Sequence, residues 1–198
     1  MPATHATGWP DRPVRDAPQG KVWFSPMTTA DVPSVHEVEK TAYPRPWTQR
    51  HFTDSIQAGY AAMMLMADDL PKAPAVQGGP HDGQGLLGYV VAMEGVDEVH
   101  LLNITVVPAL QRQGWGRVLM DALVAWAHTR GAESLWLEVR LGNHNAQAMY
   151  TRYGFVKMGV RRDYYPAGQG QREDAVVMQL ALNPQTANGQ PSAKNASA

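Results

Sequence analysis

The chain has 198 residues, of which 44% are hydrophobic, with no cysteine and a formal net charge of -1. That length holds one domain with a substantial core, and so small a charge creates no general field toward nucleic acid or a membrane surface. The lack of cysteine excludes disulfides, thiolate metal sites and a cysteine nucleophile, and it agrees with a reducing compartment.

Residues 1–20 carry Pro2, Pro10, Pro13 and Pro18 among small and polar residues and have no apolar signal core. They read as a flexible leader. No stretch approaches the roughly 20 apolar residues that cross a bilayer, so cytoplasm is the expected location and no membrane partner is expected. Lys21 to Pro26 predicts a first strand. Thr29 opens a helix that runs to about Ala42. Thr48 is placed to cap a second helix carrying Phe52 and Ile56. Tyr60 to Ala67 is apolar and predicts a strand. Asp68 to Gly85, rich in proline and glycine, reads as a loop inserted between strands. Leu86 to Glu94 and Val99 to Val107 predict two strands joined by a hairpin at Gly95 to Asp97. Trp115, Val118, Leu119, Ala122, Leu123 and Trp126 share one face of a helix that spans Trp115 to Thr129 and stops before Gly131. Ser134 to Arg140 predicts a strand, Asn145 to Tyr153 a short helix ended by Gly154, and Phe155 to Arg162 and Ala175 to Leu182 two late strands. Residues 183–198, rich in Ala, Asn, Ser and Gln, read as a disordered tail. The domain proper is then 21–182. Its class is mixed α/β, with one parallel crossover among antiparallel pairs.

The most informative local feature is Gln111-Arg112-Gln113-Gly114-Trp115-Gly116-Arg117, which follows a strand and opens the most amphipathic helix. Glycines let the backbone approach a ligand closely. The first helical turn presents free N–H groups and the positive end of the helix dipole, so a phosphate is the natural guest. The Gly-Lys-Ser/Thr ending of a Walker loop is absent. A dinucleotide fingerprint wants a third glycine where Leu119 stands, although Glu138 supplies the acid that it expects about 20 residues on. The elements that follow, one short helix and antiparallel strands, do not continue a dinucleotide fold. A tight surface turn without a ligand is the remaining reading.

Strand, Gln-Arg-Gln-Gly-Trp-Gly-Arg loop, helix, strand, then Asn143, Ala146, Tyr150, Gly154 and Phe155 resembles the GNAT acetyltransferase superfamily. Pro46-Trp47-Thr48, Asn103-Ile104, Trp136-Leu137-Glu138-Val139-Arg140, Arg161-Arg162-Asp163-Tyr164-Tyr165-Pro166 and Arg172-Glu173-Asp174-Ala175 narrow it toward the ribosomal-protein-alanine N-acetyltransferases of the RimI type. The resemblance covers about Ser25 to Leu182. It implies an acyl-CoA N-acyltransferase fold with about seven strands and helices on both faces. It also implies acetyl-CoA as co-substrate, and the N-terminal amine of a small-subunit ribosomal protein as acceptor. Gln111, Arg112, Gln113, Gly114, Trp115, Gly116 and Arg117 would cradle the pyrophosphate. Ile104, Thr105 and Val106 would lend backbone to the pantetheine arm, with Asn143 and Ala146 near the CoA. Trp47, Asn103, Tyr164 and Tyr165 would line the acceptor slot. Acetylation of a lysine or small amine, and an acyl-CoA-binding module without turnover, are the alternatives.

Acetyl transfer to an amine needs a base, donors for the developing oxyanion and a proton for the leaving thiolate. Glu138 is the candidate base. Strand alternation puts it with Trp136 and Arg140 on the more polar face, while Leu135, Leu137 and Val139 share the other. A salt bridge to Arg140 or a neighbour is its structural alternative. Tyr150 is the candidate acid through the family motif, against plain core packing. Seven scattered histidines form no metal-binding spacing, so no metal is expected. With no Gly-x-Ser-x-Gly elbow and no cysteine, direct transfer is expected. Arg161, Arg162, Tyr164 and Tyr165 are expected to flank a peptide slot rather than to bind RNA. Glu37, Glu39, Glu173 and Asp174 read as a solvated face, with attraction of a basic substrate tail as the alternative. A monomer or weak dimer is expected.

Overall fold

The structure, a computed structural model, describes residues 8–9, 15–17, 20–68, 70–168 and 170–182. The expected tail at 183–198 and most of the expected leader lie outside these. The chain divides into two compact units, Met1–Glu94 with Leu102–Arg130, and Gly95–Leu101 with Gly131–Ala198.

The first unit contains β1 (Arg15–Ala17), β2 (Gly20–Pro26), α1 (Val32–Ala42), α2 (Gln49–Gln57), β3 (Ala61–Ala67), β4 (Gly85–Glu94), the end of β5 (Glu98–Val106) and α3 (Trp115–Thr129). Its strands follow the order β1-β2-β3-β4-β5, and β1 to β4 pair antiparallel. Every residue of β3 is buried, as an apolar run inside a sheet requires. Thr48 caps α2 as its position predicts, accepting from the His51 N–H at 3.4 Å. α3 packs on β4 and buries Trp115, Leu119, Met120, Ala122, Leu123, Trp126 and Ala127. Gly88 of β4 permits that fit. A Cβ there would collide with the Thr105 carbonyl and come within 3.1 Å of Leu119 Cδ1.

One sequence expectation changes here, and the inserted loop gains detail. The leader is not wholly outside the fold: residues 15–17 form β1, and Trp9 is buried, its ring stacked 5.7 Å from Trp126. Burying so large an aromatic surface outweighs the local cues of a polar, proline-rich segment. The insertion at 68–85 is tethered along its length. Val76 is fully buried, Gln77 N–H donates to Ser34 Oγ at 2.9 Å, and a 3-10 turn at Gly79–His81 brings His81 Nδ1 to Asp31 Oδ1 at 2.8 Å.

The second unit contains the start of β5, β6 (Ser134–Arg140), α4 (His144–Tyr153), β7 (Val156–Gly168) and β8 (Gln171–Ala181), in the strand order β5-β6-β8-β7. β5 and β6 pair parallel from Glu98↔Ser134 to Leu101↔Leu137. β8 pairs antiparallel with both β6 and β7. The late strands are longer than expected, because the hairpin continues past Arg162 to Gly168 and starts again at Gln171. Irregular register between Arg161 and Tyr165, with Asp163 at φ 50°, absorbs residues that read locally as breakers. Pro166 is tolerated because β7 is an edge strand. The mixed α/β class is as expected, and the eighth strand is the short β1.

Candidate active site

The glycine loop follows β5 after a 3-10 turn at Pro108–Leu110. Arg112 has φ 62° and Gly114 φ 91°, a turn that points the backbone outward before α3 starts. Gly114 is the N-cap residue and brings no side-chain acceptor, so the first-turn N–H groups have no side-chain cap. A Cβ on Gly114 would meet nothing within 4 Å. Gln111, Arg112, Gln113, Gly114 and Arg117 are exposed and Gly116 half-buried, whereas the Trp115 side chain is buried, so Trp115 offers the loop only its backbone. Gln111 Nε2 donates to the Val106 carbonyl at 3.2 Å and ties the loop to β5. Open amides, positive dipole and space suit a diphosphate.

Beside this stretch a buried acid organises β5. Glu39 is 1% exposed. Its Oε1 accepts from the Trp47 N–H at 2.9 Å and from Asn103 Nδ2 at 3.3 Å, and its Oε2 accepts from the Tyr89 hydroxyl. Thr105 Oγ1 lies 3.0 Å from Asn103 Oδ1, 3.1 Å from the Tyr43 hydroxyl and 3.5 Å from Glu39 Oε2; its single hydrogen serves one of them at a time. Tyr43 in turn donates to the Ile104 carbonyl at 3.1 Å. Burial, reinforced by the neighbouring Glu39 carboxylate, pushes the Tyr89 phenol well above its ordinary value. Burial also raises Tyr43, which Thr105 partly offsets. Asn103 and Thr105 therefore point their side chains into this network, and Ile104 and Val106 are the half-buried positions that alternate with them. Trp47 packs its ring 5.3 Å from Phe52. A cleft of about 290 Å³ lies beside it, lined by Trp47, His51, Asp54, Ser55, Ala58 and Tyr60.

In the second unit, β6 alternates as the sequence predicts, burying Leu135, Leu137 and Val139. Glu138 projects from the opposite face with its side chain 14% exposed, and its Oε1 is 3.2 Å from Arg161 Nη2. Arg140 turns elsewhere, to Glu173 at 2.9 Å and over the Tyr165 ring at 4.5 Å. The Tyr165 hydroxyl donates to the Glu138 main-chain carbonyl at 2.9 Å. Burial, with Tyr164 and Glu138 adding to it against Arg140, pushes the Tyr165 phenol up to about 12. Tyr164 meets Tyr165 edge-on, with centroids 5.0 Å apart.

α4 holds the remaining expected residues. Asn143 caps it, its Oδ1 accepting from the Ala146 N–H at 3.1 Å, so both members of that pair are engaged in starting the helix. Tyr150 is 7% exposed, with its ring 5.5 Å from Phe155. Gly154, at φ 118°, ends the helix.

Several residues acquire a role that sequence reading did not give them. Glu39 is no solvated acid. It falls four residues after Val35 and seven after Val32 on the buried stripe of α1, and that spacing was the available signal. Glu37, by contrast, is exposed and paired with Lys40 at 2.7 Å. Glu173 accepts from Arg140 and from the Gly142 N–H and so ties β8 to the end of β6, while Asp174 accepts from the Asp163 N–H and closes the β7–β8 hairpin. Arg161, rather than Arg140, pairs with Glu138. No sequence spacing signals that choice.

The model of the acetyltransferase (GNAT) family matches residues 32–155. The [ribosomal protein bS18]-alanine N-acetyltransferase of Salmonella typhimurium is 35% identical over 160 residues, which is 81% of this chain and 97% of that protein. The enzyme of the same name from Escherichia coli K12 is 34% identical over 160 residues, again 81% and 97%. The crystal structure of the ribosomal-protein-S18-alanine N-acetyltransferase from Escherichia coli superimposes with a TM-score of 0.68 at 30% identity, covering 88% of this chain and 98% of that one. Family model, identity and shared fold agree: the chain belongs to the GNAT acetyltransferase family.

Proposed function

We propose that this protein acetylates the N-terminal α-amine of a ribosomal protein that begins with alanine, using acetyl-CoA as the donor. The observation that carries the reading is 35% identity across 97% of a bS18-alanine N-acetyltransferase. The glycine loop supports it, because its uncapped first turn and open Gly114 fit a diphosphate. When bound, acetyl-CoA supplies an activated thioester. The chain's own residues then have three tasks: to hold the diphosphate, to neutralise the amine and to protonate the leaving sulfur.

An α-amine has a pKa of about 8, against about 10.4 for lysine. Making it neutral near pH 7 thus costs roughly 1.4 kcal/mol, which a carboxylate acting directly or through water supplies. Glu138 fits that base, being ionisable, mostly shielded and steadied through its own carbonyl by Tyr165. Tyr150 fits the acid, since a phenol stays protonated at neutral pH. Backbone N–H groups of Ile104 to Val106 would meet the charge that develops on the acetyl oxygen. Gln111 to Arg117 would hold the diphosphate, with Asn143 and Ala146 near the CoA. The resemblance assigns the acceptor to Trp47 in the first unit, where a cleft lies beside it, and to Tyr164 and Tyr165 in the second. Asn103 would act indirectly, through its bond to Glu39. Such an enzyme works in the cytoplasm as a monomer or weak dimer and needs no direct contact with nucleic acid. Among the described residues no helix is long and apolar enough to cross a membrane.

The test is CoA release with a short peptide beginning Ala-Arg, compared with the same peptide blocked at its N-terminus. Release should vanish on blocking. Equal turnover of a blocked peptide carrying a free lysine would overturn the α-amine assignment. Tyr150→Phe should lower kcat while acetyl-CoA affinity stays within about twofold, because the phenol is asked to act only on the leaving group.

A further inference from the structure

The two arginines on the Glu138 side of the β7–β8 hairpin are held very differently. Arg140 Nη1 meets Glu173 at 2.9 Å and the Pro166 carbonyl at 3.2 Å, its Cζ lies 4.5 Å over the Tyr165 ring, and its side chain is 28% exposed. It is a fixed structural cation. Arg161 touches Glu138 Oε1 at 3.2 Å and hangs over Tyr164 with its Cζ 5.4 Å from the ring, and 54% of its side chain is in solvent. Its partner is the reverse, a carboxylate only 14% exposed. An exposed guanidinium leaves such a pair at little cost because water takes it back. A shielded carboxylate left without a cation is destabilised.

The other groups of the second unit around Glu138 do not supply that cation. On β7 they are Tyr164 and Tyr165. On β6 they are Trp136 and the committed Arg140. On β8 the register partner is Val177, with Ala175, Gln179 and Glu173, itself bound to Arg140, on the same face. On β5, His100 pairs with Glu98 at 2.8 Å.

We infer that Arg161 is a positioning residue, an electrostatic placeholder that occupies the place of the acceptor's ammonium at Glu138 and yields it when the acceptor enters. The inference rests on Glu138 being the base. The exchange conserves charge: one guanidinium leaves the carboxylate and one ammonium arrives. The ammonium then passes one proton to Glu138 Oε1 and becomes the neutral amine, while the guanidinium keeps all its protons throughout. The Tyr164 face receives the displaced guanidinium. Between turnovers Arg161 holds the carboxylate in place.

The test is steady-state acetyl transfer from acetyl-CoA to a peptide beginning Ala-Arg, from about pH 6 to pH 9, with the full chain and its Arg161→Gln, Arg161→Lys and Glu138→Gln variants. Arg161→Gln removes the positive charge that stands 3.2 Å from Glu138 Oε1. The acidic limb of kcat/KM in Arg161→Gln should therefore move upward, lowering the pH 6 to pH 8 rate ratio about threefold. With its competitor gone, the peptide KM at pH 8 should fall about threefold or more. Arg161→Lys should restore the wild-type limb, which a merely structural loss would not do. An unmoved limb in Arg161→Gln, or a raised peptide KM, overturns the placeholder while a slow Glu138→Gln keeps the base. Wild-type kcat and pH profile in Glu138→Gln overturns the base itself, and the inference with it.

Discussion

The Tyr165 hydroxyl donates to the main-chain carbonyl of Glu138 at 2.9 Å across 27 residues of sequence. That bond joins the edge strand β7 to the one position of β6 expected to carry a base, and Arg140 covers the same ring at 4.5 Å. Tyr165→Phe keeps the ring and deletes the bond. Stability should fall by about 1 kcal/mol, as for one neutral hydrogen bond, when measured by urea unfolding. The peptide-dependent kcat/KM should fall about fivefold, with the acetyl-CoA KM unchanged. Wild-type kinetics would show that Glu138 needs no such support.

Alkaline pH should weaken the fold. The Tyr165 phenol is pushed from its ordinary 10 up to about 12, and Tyr43 and Tyr89 are raised too. In the unfolded chain each ionises near 10. Their contribution is therefore whole below pH 10 and is lost as pH rises from 10 through the folded values. Unfolding free energy followed from about pH 8 to pH 12 should decline beyond 10. The decline should be shallower in Tyr165→Phe.

Glu39 should be worth more to stability than its position on a surface helix suggests. Glu39→Ala strands the Trp47 N–H, the Asn103 amide and the Tyr89 hydroxyl in a buried place. The expected loss is about 3 kcal/mol or more. Glu39→Gln keeps the volume and one acceptor oxygen and should lose less than half as much. Thermal or denaturant unfolding of the two variants checks the ratio.

Gly114→Val should weaken acetyl-CoA binding about tenfold or more by calorimetry, without raising the acceptor KM. At φ 91° a β-branched residue is strained, and its methyl groups would stand over the open amides. Unchanged affinity would move the diphosphate away from this loop.

The order of the elements, the mixed class, the Thr48 cap, the α3 stripe and the glycine loop at its head could all be read in the chain. Each depends on residues within a few positions of one another, and local periodicity and backbone preference act over just that range. The alternation of β6 likewise set Glu138 on the face away from Leu137. Partners were another matter. Trp9 against Trp126, Glu39 beneath Asn103, Arg161 rather than Arg140 at Glu138, and Tyr165 on a carbonyl are pairings across tens of residues. So is the extension of β7 and β8 through Pro166 and Gly168, where ladder hydrogen bonds between distant strands outweigh local breakers. Chain periodicity decides which face a side chain takes. Only the packed sheet decides what it meets there, because burial and hydrogen bonding are settled by neighbours that the local sequence does not contain.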